Sequence, residues 1–449
     1  MSPDVLARAR RILVVRLDNV GDVVMAGPAV RALRAAHPAA QLTLLASPAG
    51  AAVAPLLPWL DEVVVARAVW QDAGGRAPLD PARELALVER LRAGAFDAAI
   101  ILTSFSQSPD GPAYACYLAG VPIRAGHAGA FSGSLLTHRA APLPDAAHQV
   151  DRNLHLLAAL GVPPVGSHLE LAVPDGAAGR ALTCLRESGV DPDRPFVLLA
   201  PGASCAARRY APERFAEVAA RLGATSGLPV VLAGSDRETE LVAGIHAAAS
   251  AMAADASRDP LPIVDLAGRT SVAELAALVR AATLVVANDS APMHLADAFC
   301  RPTVVLFSGT ELESQWRPRR APAVLLRHHT VCAPCYSFEC PYHMECLDIA
   351  PAEVVRHCLR LLAPARPRTG QALHGSALPA RPGAAAAGPR APLAASPGPR
   401  ALRDRPAPAL RAPTRPAPTR RNDRRHAAPA DPDLARTRQL PVLPRGGPA

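Results

Sequence analysis

Apolar residues along the chain fall into short runs that recur at regular intervals. Continuous apolar or β-branched runs occupy 12–17, 42–45, 62–65 and 98–102, and a second series occupies 196–200, 230–233, 263–266, 284–287 and 303–307. Between them lie Ala-, Leu- and Arg-rich stretches with helical spacing, among them 29–36, 212–222, 237–248 and 272–281. Runs that are apolar throughout, rather than alternating, predict strands covered on both faces, and their alternation with helices predicts doubly wound parallel sheets of the α/β class. The segment 150–161 predicts a helix, which Pro163-Pro164-Val165-Gly166 breaks. A domain boundary is expected there, with one Rossmann-like unit over 1–164 and a second over 165–364. Two such units facing a cleft place ligands beyond the carboxyl ends of their strands.

The most telling junction is Thr283-Leu-Val-Val-Ala-Asn-Asp-Ser-Ala-Pro-Met-His-Leu-Ala-Asp297. A buried strand breaks at Asn288-Asp289-Ser290 and restarts as a helix whose first turn holds Pro292 and His294. A helix that starts at the end of a parallel strand aims unpaired N–H groups and a positive dipole end at one point, which suits a phosphate. The first strand leads into a comparable turn, Arg16-Leu-Asp-Asn-Val-Gly-Asp22. A dinucleotide fold would place G-x-G-x-x-G here, but only Gly21 falls in the turn, so a nicotinamide-dependent oxidoreductase loses its main support. The turn offers Asp22 instead. Such a residue serves either as a first-turn helix carboxylate or as a general base facing the second site.

These residues carry a resemblance. Leu17-Asp-Asn-Val-Gly-Asp22, Pro201-Gly-Ala-Ser, Arg208-Arg-Tyr-Ala-Pro-Glu-Arg-Phe215, Leu266-Ala-Gly-Arg-Thr270 and Asn288-Asp-Ser-Ala-Pro-Met-His-Leu-Ala296 together resemble glycosyltransferase family 9, the ADP-heptose heptosyltransferases of lipopolysaccharide core assembly and their relatives. The resemblance covers roughly residues 10–362 and keeps the family's motif order. It implies a GT-B fold with an acceptor-binding first domain and a nucleotide-sugar-binding second domain, and an inverting transfer that needs no metal or other cofactor. By the same resemblance Asp22 is the catalytic base, while Asp289, Ser290, Ala291 and His294 lie on the donor-binding motif. Arg208 stands where the family usually has a lysine reaching the diphosphate. The chain contains no lysine, and arginine can neutralise phosphate in the same role. Glu238 resembles the family's ribose-binding glutamate, with a solvated first-turn carboxylate as the alternative. Ala291 replaces the commoner Gly, and Tyr210 the commoner Trp, which loosens any inference about the sugar. The expected donor is ADP-heptose-like, and the expected acceptor a lipopolysaccharide core or another glycan or glycolipid. The rival readings are a relative with a different donor and acceptor, and a nucleotide-sugar binding protein that does not turn over.

Cysteines bear on a possible metal. Cys332-Ala-Pro-Cys335-Tyr-Ser-Phe-Glu-Cys340-Pro-Tyr-His343-Met-Glu-Cys346 places four thiols and an imidazole within fifteen residues. That set could hold a structural tetrahedral metal such as zinc, or form disulfides, or pack as free thiols; disulfides are disfavoured in a reducing compartment. Arg124, His127, His138 and Arg139 are expected on loops of the first unit. His148 is expected to cap or pack at the start of the helix after residue 148, and Trp59, Trp70 and Trp316 are expected to pack.

Charge and composition refine this picture. The 449 residues carry a net charge of +9. From residue 365 onward there are 16 Arg and 4 Asp, a net of +12, and subtracting that from +9 leaves −3 for residues 1–364. The basic character therefore belongs to a Pro-, Ala- and Arg-rich tail, 365–449, which cannot bury enough apolar surface to fold and is expected to be disordered. A solvated extension with no specific role is the favoured reading, and a polybasic arm on an anionic membrane the sharper one. Scarce aromatics argue against specific nucleic-acid binding. Half the residues are apolar, yet no run approaches the roughly 18 residues that span a bilayer. Arg8, Arg10 and Arg11 precede a run too short for a signal-peptide core. A cytoplasmic protein, working at most at the inner face of the membrane, is expected.

Overall fold

The structure, a computed structural model, describes residues 4–363 apart from 73, 74, 76, 106, 130–132 and 257–260. The tail from 365 lies outside the described residues. Two six-stranded sheets, each wholly parallel, organise the chain. The first contains β1 (Arg11–Arg16), β2 (Gln41–Ala46), β3 (Glu62–Val65), β4 (Ala98–Ile101), β5 (Ile123–His127) and β6 (His138–Ala140), in the spatial order β3-β2-β1-β4-β5-β6. The second contains β7 (Val197–Ala200), β8 (Val230–Leu232), β9 (Ile263–Asp265), β10 (Leu284–Asn288), β11 (Thr303–Leu306) and β12 (Ala323–Leu326), in the order β12-β11-β10-β7-β8-β9. Each is the doubly wound order, and each reverses direction next to its first strand: between β1 and β4, and between β7 and β10.

Helices connect the strands and cover both faces. Around the first sheet these are α1 (Val20–Ala36), α2 (Pro48–Ala51), α3 (Pro81–Ala93), α4 (Asp110–Leu118) and α5 (Gln149–Ala159). Then come α6 (Asp175–Glu187), α7 (Pro212–Ser226), α8 (Thr239–Ala256), α9 (Val272–Ala281), α10 (Ala291–Ala298), α11 (Glu313–Trp316) and α12 (Pro351–Leu362). The unbroken apolar strands have a direct cause. On β1, Ile12 and Val14 enter one core cluster and Leu13 and Val15 another. On β7, Leu198 and Ala200 face one core while Val197 and Leu199 face the other. Neither face of these inner strands meets water, so a polar alternation would bury unpaired groups.

One core layer runs through both halves, joining Ile12, Val30 and Leu156 to Leu198, Leu278 and Val285. The described residues accordingly form one compact unit. The segment after the Pro-Pro break still packs on the first half. Arg31 Nη1 meets Glu170 Oε2 at 2.6 Å, and Ala172 N–H donates to Leu56 O at 2.9 Å.

Nine of the twelve strands fall on the expected apolar runs. The others are β5, β6 and β12. β5, Ile-Arg-Ala-Gly-His, carries a buried arginine that satisfies itself on carbonyls: Arg124 donates to Leu135 O at 2.7 Å and Ser134 O at 3.1 Å. β6 and β12 are short strands at sheet edges, where few residues are needed to complete the pairing. Arg124, His127, His138 and Arg139 therefore lie on strands, not on loops, and the Arg124 guanidinium is spent inside the fold.

Candidate active site

The first sheet builds one wall of the site at its switch point. β1 ends in Arg16, which follows four apolar residues, and its side chain is fully buried. Its guanidinium reaches two carboxylates at once. Nε lies 2.9 Å from Asp18 Oδ2, and Nη2 donates to Asp22 Oδ1 at 2.6 Å. The same Nη2 donates to Ser104 Oγ, just past the end of β4, at 2.7 Å. Asp22 is the third residue of α1, and its Oδ2 accepts the Asn19 N–H at 3.2 Å, the return half of a capping box. Capping and chemistry are thus compatible for Asp22, because Oδ2 keeps a second acceptor position beside the Asn19 N–H. Asp18 is held by Arg16, Gln71 and Gln107. Burial pushes its carboxyl above the usual range, against the pull of Arg16.

The second sheet builds the facing wall at its own switch point. Asn288, the last residue of β10, is fully buried and ties three segments together. Its Nδ2 donates to Pro201 O at 2.7 Å, beyond the end of β7, and its Oδ1 accepts the Tyr210 N–H at 3.1 Å. Asp289 follows, 3% exposed, with Oδ2 buried and without a hydrogen-bond partner among the described residues. Burial raises its pKa, while Arg208 and His294 pull it back down. Ser290 stands at the N-cap position of α10 without a side-chain capping bond, Ala291 opens the helix, and His294 stands one turn in, buried and kept toward its neutral form by that burial. Tyr210 turns its ring inward: its hydroxyl donates to Ile349 O at 2.6 Å, and burial pushes its pKa up to about 12. Glu238 closes the far side of the Pro201-Gly202 turn. Its Oε2 accepts the Ser235 N–H at 2.8 Å, and Oε1 lies where a Cβ on Gly202 would be, 1.9 Å away. A side chain on Gly202 would push the Glu238 carboxylate aside.

The two walls touch. A Cβ built on Gly21, in the first turn of α1, would lie 2.7 Å from His294 Cδ2 and 3.8 Å from Ala291 Cα. The starts of α1 and α10 therefore meet at a glycine, with no room for a side chain, and Asp22 is the next residue. Electrostatics agree with the contact: Asp22 and Arg208 both bear on the ionisation of Asp289 and of His294. Arg208 sits on a 3-10 turn, Ala206–Arg208. Its charged form is opposed by burial but strengthened by Asp289 and Glu311. Its Nη2 lies 2.7 Å from Glu311 Oε1, and its Nε donates to Thr310 Oγ1 at 3.1 Å.

Four of the expected residues, Asp22, Arg208, Asp289 and His294, thus form one cluster. Ser290 and Ala291 border it, and Glu238 flanks it across the Pro201-Gly202 turn. Arg16, Ser104, Asn288, Thr310 and Glu311 belong to the same place but were not anticipated. A polar residue at the carboxyl end of an apolar run was the available signal for Arg16. Thr310 and Glu311 follow the run 303–307 in the same manner.

The model of glycosyltransferase family 9 (heptosyltransferase) matches residues 84–345, more than half of the chain. The chain belongs to glycosyltransferase family 9. Lipopolysaccharide heptosyltransferase 2 of Escherichia coli K12 is 28% identical to this glycosyltransferase over 368 residues, covering 78% of this chain and 98% of the relative. The enzyme of the same name from Salmonella typhimurium is 28% identical over 364 residues, covering 79% and 99%. Among solved structures, E. coli ADP-heptose LPS heptosyltransferase II superposes with a TM-score of 0.61 at 25% identity, covering 78% of this chain and 98% of that one. A family 9 glycosyltransferase from Veillonella parvula gives 0.62 at 22% identity, covering 79% and 97%, and supports the fold. The two sheets are those of the GT-B glycosyltransferase fold.

The cysteine-rich loop of this family 9 enzyme departs from the expected ligand set. Among the described residues, no group of three or more His, Cys, Asp or Glu side chains is arranged to hold a metal ion. Cys332, Cys335, Cys340 and Cys346 are free thiols, and burial raises Cys346, with the other three adding to the shift. The loop instead braces the site through its backbone. Cys335 N–H donates to Gly309 O at 3.0 Å, Tyr336 N–H to Thr310 O at 2.9 Å, and Phe338 O accepts Ala207 N–H at 3.1 Å. It thereby fixes both turns that carry Arg208 and Glu311. His148 does cap α5: its Nδ1 accepts Val150 N–H at 3.3 Å, so Nε2 donates to Arg317 O at 3.1 Å. Trp316 packs 6.3 Å from His294, Trp59 lies under Arg31, and Trp70 packs against Gly111. No helix among the described residues is long and apolar enough to cross a membrane.

Proposed function

We propose that this enzyme transfers a heptose, with inversion, from ADP-heptose to a lipopolysaccharide-core acceptor. The names of its relatives support the sugar and the acceptor. The contact of Gly21 with His294, which sets Asp22 beside the start of α10, is the observation that carries the chemistry. In this reading residues 1–164 present the acceptor and residues 165–364 the donor. The Asp22 carboxylate, oriented by Arg16, Ser104 and the Asn19 N–H, takes the proton from an acceptor hydroxyl as that oxygen attacks the anomeric carbon. The bond from that carbon to the diphosphate breaks on the opposite face. The charge that grows on the leaving diphosphate is met by Arg208 and by the N–H groups at the start of α10. Asp289 and Glu238 are assigned to donor hydroxyls. The reaction works at the cytoplasmic face of a membrane, where a glycolipid acceptor would present its headgroup.

Replacing Asp22 by Asn keeps the hydrogen-bond geometry and removes the base. D22N is expected to bind ADP-heptose with nearly unchanged affinity and to lose transfer, measured as ADP release in the presence of acceptor. Turnover equal to that of the parent enzyme would overturn the assignment. Ala291, at the first position of α10, favours a second reading in which the donor carries a different sugar, because its methyl group narrows the approach. A thermal-shift screen of nucleotide sugars separates the two, since the true donor stabilises the fold by mass action.

A further inference from the structure

We propose that Glu311 is a placeholder on Arg208: its carboxylate occupies the edge of the guanidinium that a donor diphosphate must take, and leaves it as the diphosphate arrives. The proposal rests on the donor-site reading of Arg208 given above. An arginine recognises a phosphate bidentately through two parallel N–H groups, and the Nε–Nη2 edge is one such pair. In this structure that edge is filled. Nε is held by Thr310 Oγ1 at 3.1 Å and Nη2 by Glu311 Oε1 at 2.7 Å, two consecutive residues of one turn. The turn cannot simply retreat, because its backbone carbonyls at Gly309 and Thr310 accept N–H groups from Cys335 and Tyr336. Displacement must therefore come from the Glu311 side chain.

Where that side chain could go is constrained by its neighbours. Besides Arg208, it feels Asp289 from the turn before α10 and Asp22 from α1. It in turn acts on Arg16 at the end of β1 and on Cys205 in the loop after β7. His294 of α10 lies among the same charges. With Asp22 and Asp289 already present, a displaced glutamate beside an incoming diphosphate meets mainly negative charge. Neutralisation by a proton is then its easiest course. Burial and the two aspartates already push Glu311 up to about 7, against the pull of Arg208. The proton comes from solvent, so nucleotide binding takes up a proton wherever Glu311 starts ionised.

ADP is the probe, titrated calorimetrically into the full-length enzyme and into E311Q, E311A and R208A from pH 6 to pH 8. At pH 8 Glu311 is ionised and must be displaced, so E311Q and E311A are expected to bind ADP on the order of tenfold more tightly than the parent. At pH 6 the parent carries the proton already, and the ratio shrinks toward one. The nucleotide's own phosphate titrates in every variant and cancels in that ratio. R208A is expected to bind ADP weakly at every pH. Weaker or unchanged ADP binding by both Glu311 variants at pH 8, with R208A still impaired, would overturn the placeholder and leave the donor site standing. ADP binding untouched in R208A would overturn both.

Discussion

Gly21 is the point where the two halves of the site touch, and replacing it by Ala tests whether that contact sets the chemistry. The backbone at Gly21 is not in the left-handed region, so alanine is conformationally acceptable there. In a helix it would even be favoured over glycine by up to about 1 kcal/mol. Any loss must therefore come from the new methyl group. That Cβ would lie 2.7 Å from His294 Cδ2 and 3.2 Å from Nε2. Carbon atoms in contact normally sit about 3.5–4.0 Å apart, so the starts of α1 and α10 must separate by about 1 Å or His294 must turn away. Overpacking of this kind costs about 1–3 kcal/mol, of which the helix preference offsets part, so the thermal midpoint should move by only a few degrees. Catalysis is more sensitive. A misplacement of about 1 Å between reacting groups can cost on the order of a hundredfold in rate. G21A is thus expected to lower kcat/KM for transfer by that order while remaining folded. Gly27→Ala is the control, because on the same helix its Cβ meets only the end of a side chain, Leu57 Cδ2 at 3.3 Å. If G21A and G27A turn over alike, the contact is not what aligns Asp22 with the donor wall.

Two further substitutions follow from buried groups. N288A removes three hydrogen bonds and leaves the Tyr210 N–H and Pro201 O without their partner, so the urea midpoint should fall by the equivalent of about 2–4 kcal/mol. N288D is not expected to rescue it, since an oxygen would then face Pro201 O. His148 bears on acid stability: burial, with Arg319 adding to it, lowers its pKa to about 4. The unfolded chain therefore binds a proton below about 6.5 that the folded state refuses until about 4, and stability is lost as pH falls through that window. His127, also lowered to about 4, acts in the same sense, whereas Glu311, raised to about 7, acts in the opposite one. The comparison of variants isolates one group: urea unfolding of H148Q should be less steeply pH-dependent than the parent by about 1 kcal/mol per pH unit between pH 6.5 and 5. Equal slopes would contradict the buried neutral imidazole.

What the sequence made legible was whatever depends on near neighbours in the chain. The inner strands could be read because both faces of each sheet are covered, which forces every position of β1, β4, β7 and β10 to be apolar or nearly so. β5 broke that rule with Arg124 and His127, and only the folded chain shows that the arginine is satisfied by carbonyls ten residues away. Asp22 and Asp289 could be read because each follows a strand directly and precedes a helix. Arg16 to Ser104 was not legible, because it depends on β4 lying beside β1, a crossover that no local pattern records. Glu311 was hidden for a similar reason: it reaches Arg208 only because β11 follows β10 in the sheet and the cysteine-rich loop ties its turn to residue 207. The cysteines misled in the opposite direction. Their spacing suggested ligands, whereas the contacts the loop makes with the site run through its backbone, which braces the turns of Arg208 and Glu311.

The absence of lysine gives these two anchor points a common design. Arg16 holds Asp18 through Nε and Asp22 through Nη2, and Arg208 holds Thr310 through Nε and Glu311 through Nη2. In each case one planar guanidinium meets two groups at once, which a lysine ammonium on a flexible stem would do less rigidly. The forks sit on opposite walls and serve opposite ends. On the first wall both carboxylates stay put, and the fork aims the base. On the second, one partner is a carboxylate of the same charge as the ligand, so the fork is held in the shape that a phosphate requires before any phosphate is present. The site contains Asp18, Asp22, Asp289 and Glu311 against Arg16 and Arg208, an excess of acid that would repel a diphosphate if every group stayed ionised and in place. Admission of the donor must therefore change the charge or position of at least one carboxylate. Glu311 is the candidate because it already sits on the Arg208 edge that a phosphate would take, whereas Asp18 and Asp22 are bound to Arg16 and Asp289 is walled in at the start of α10.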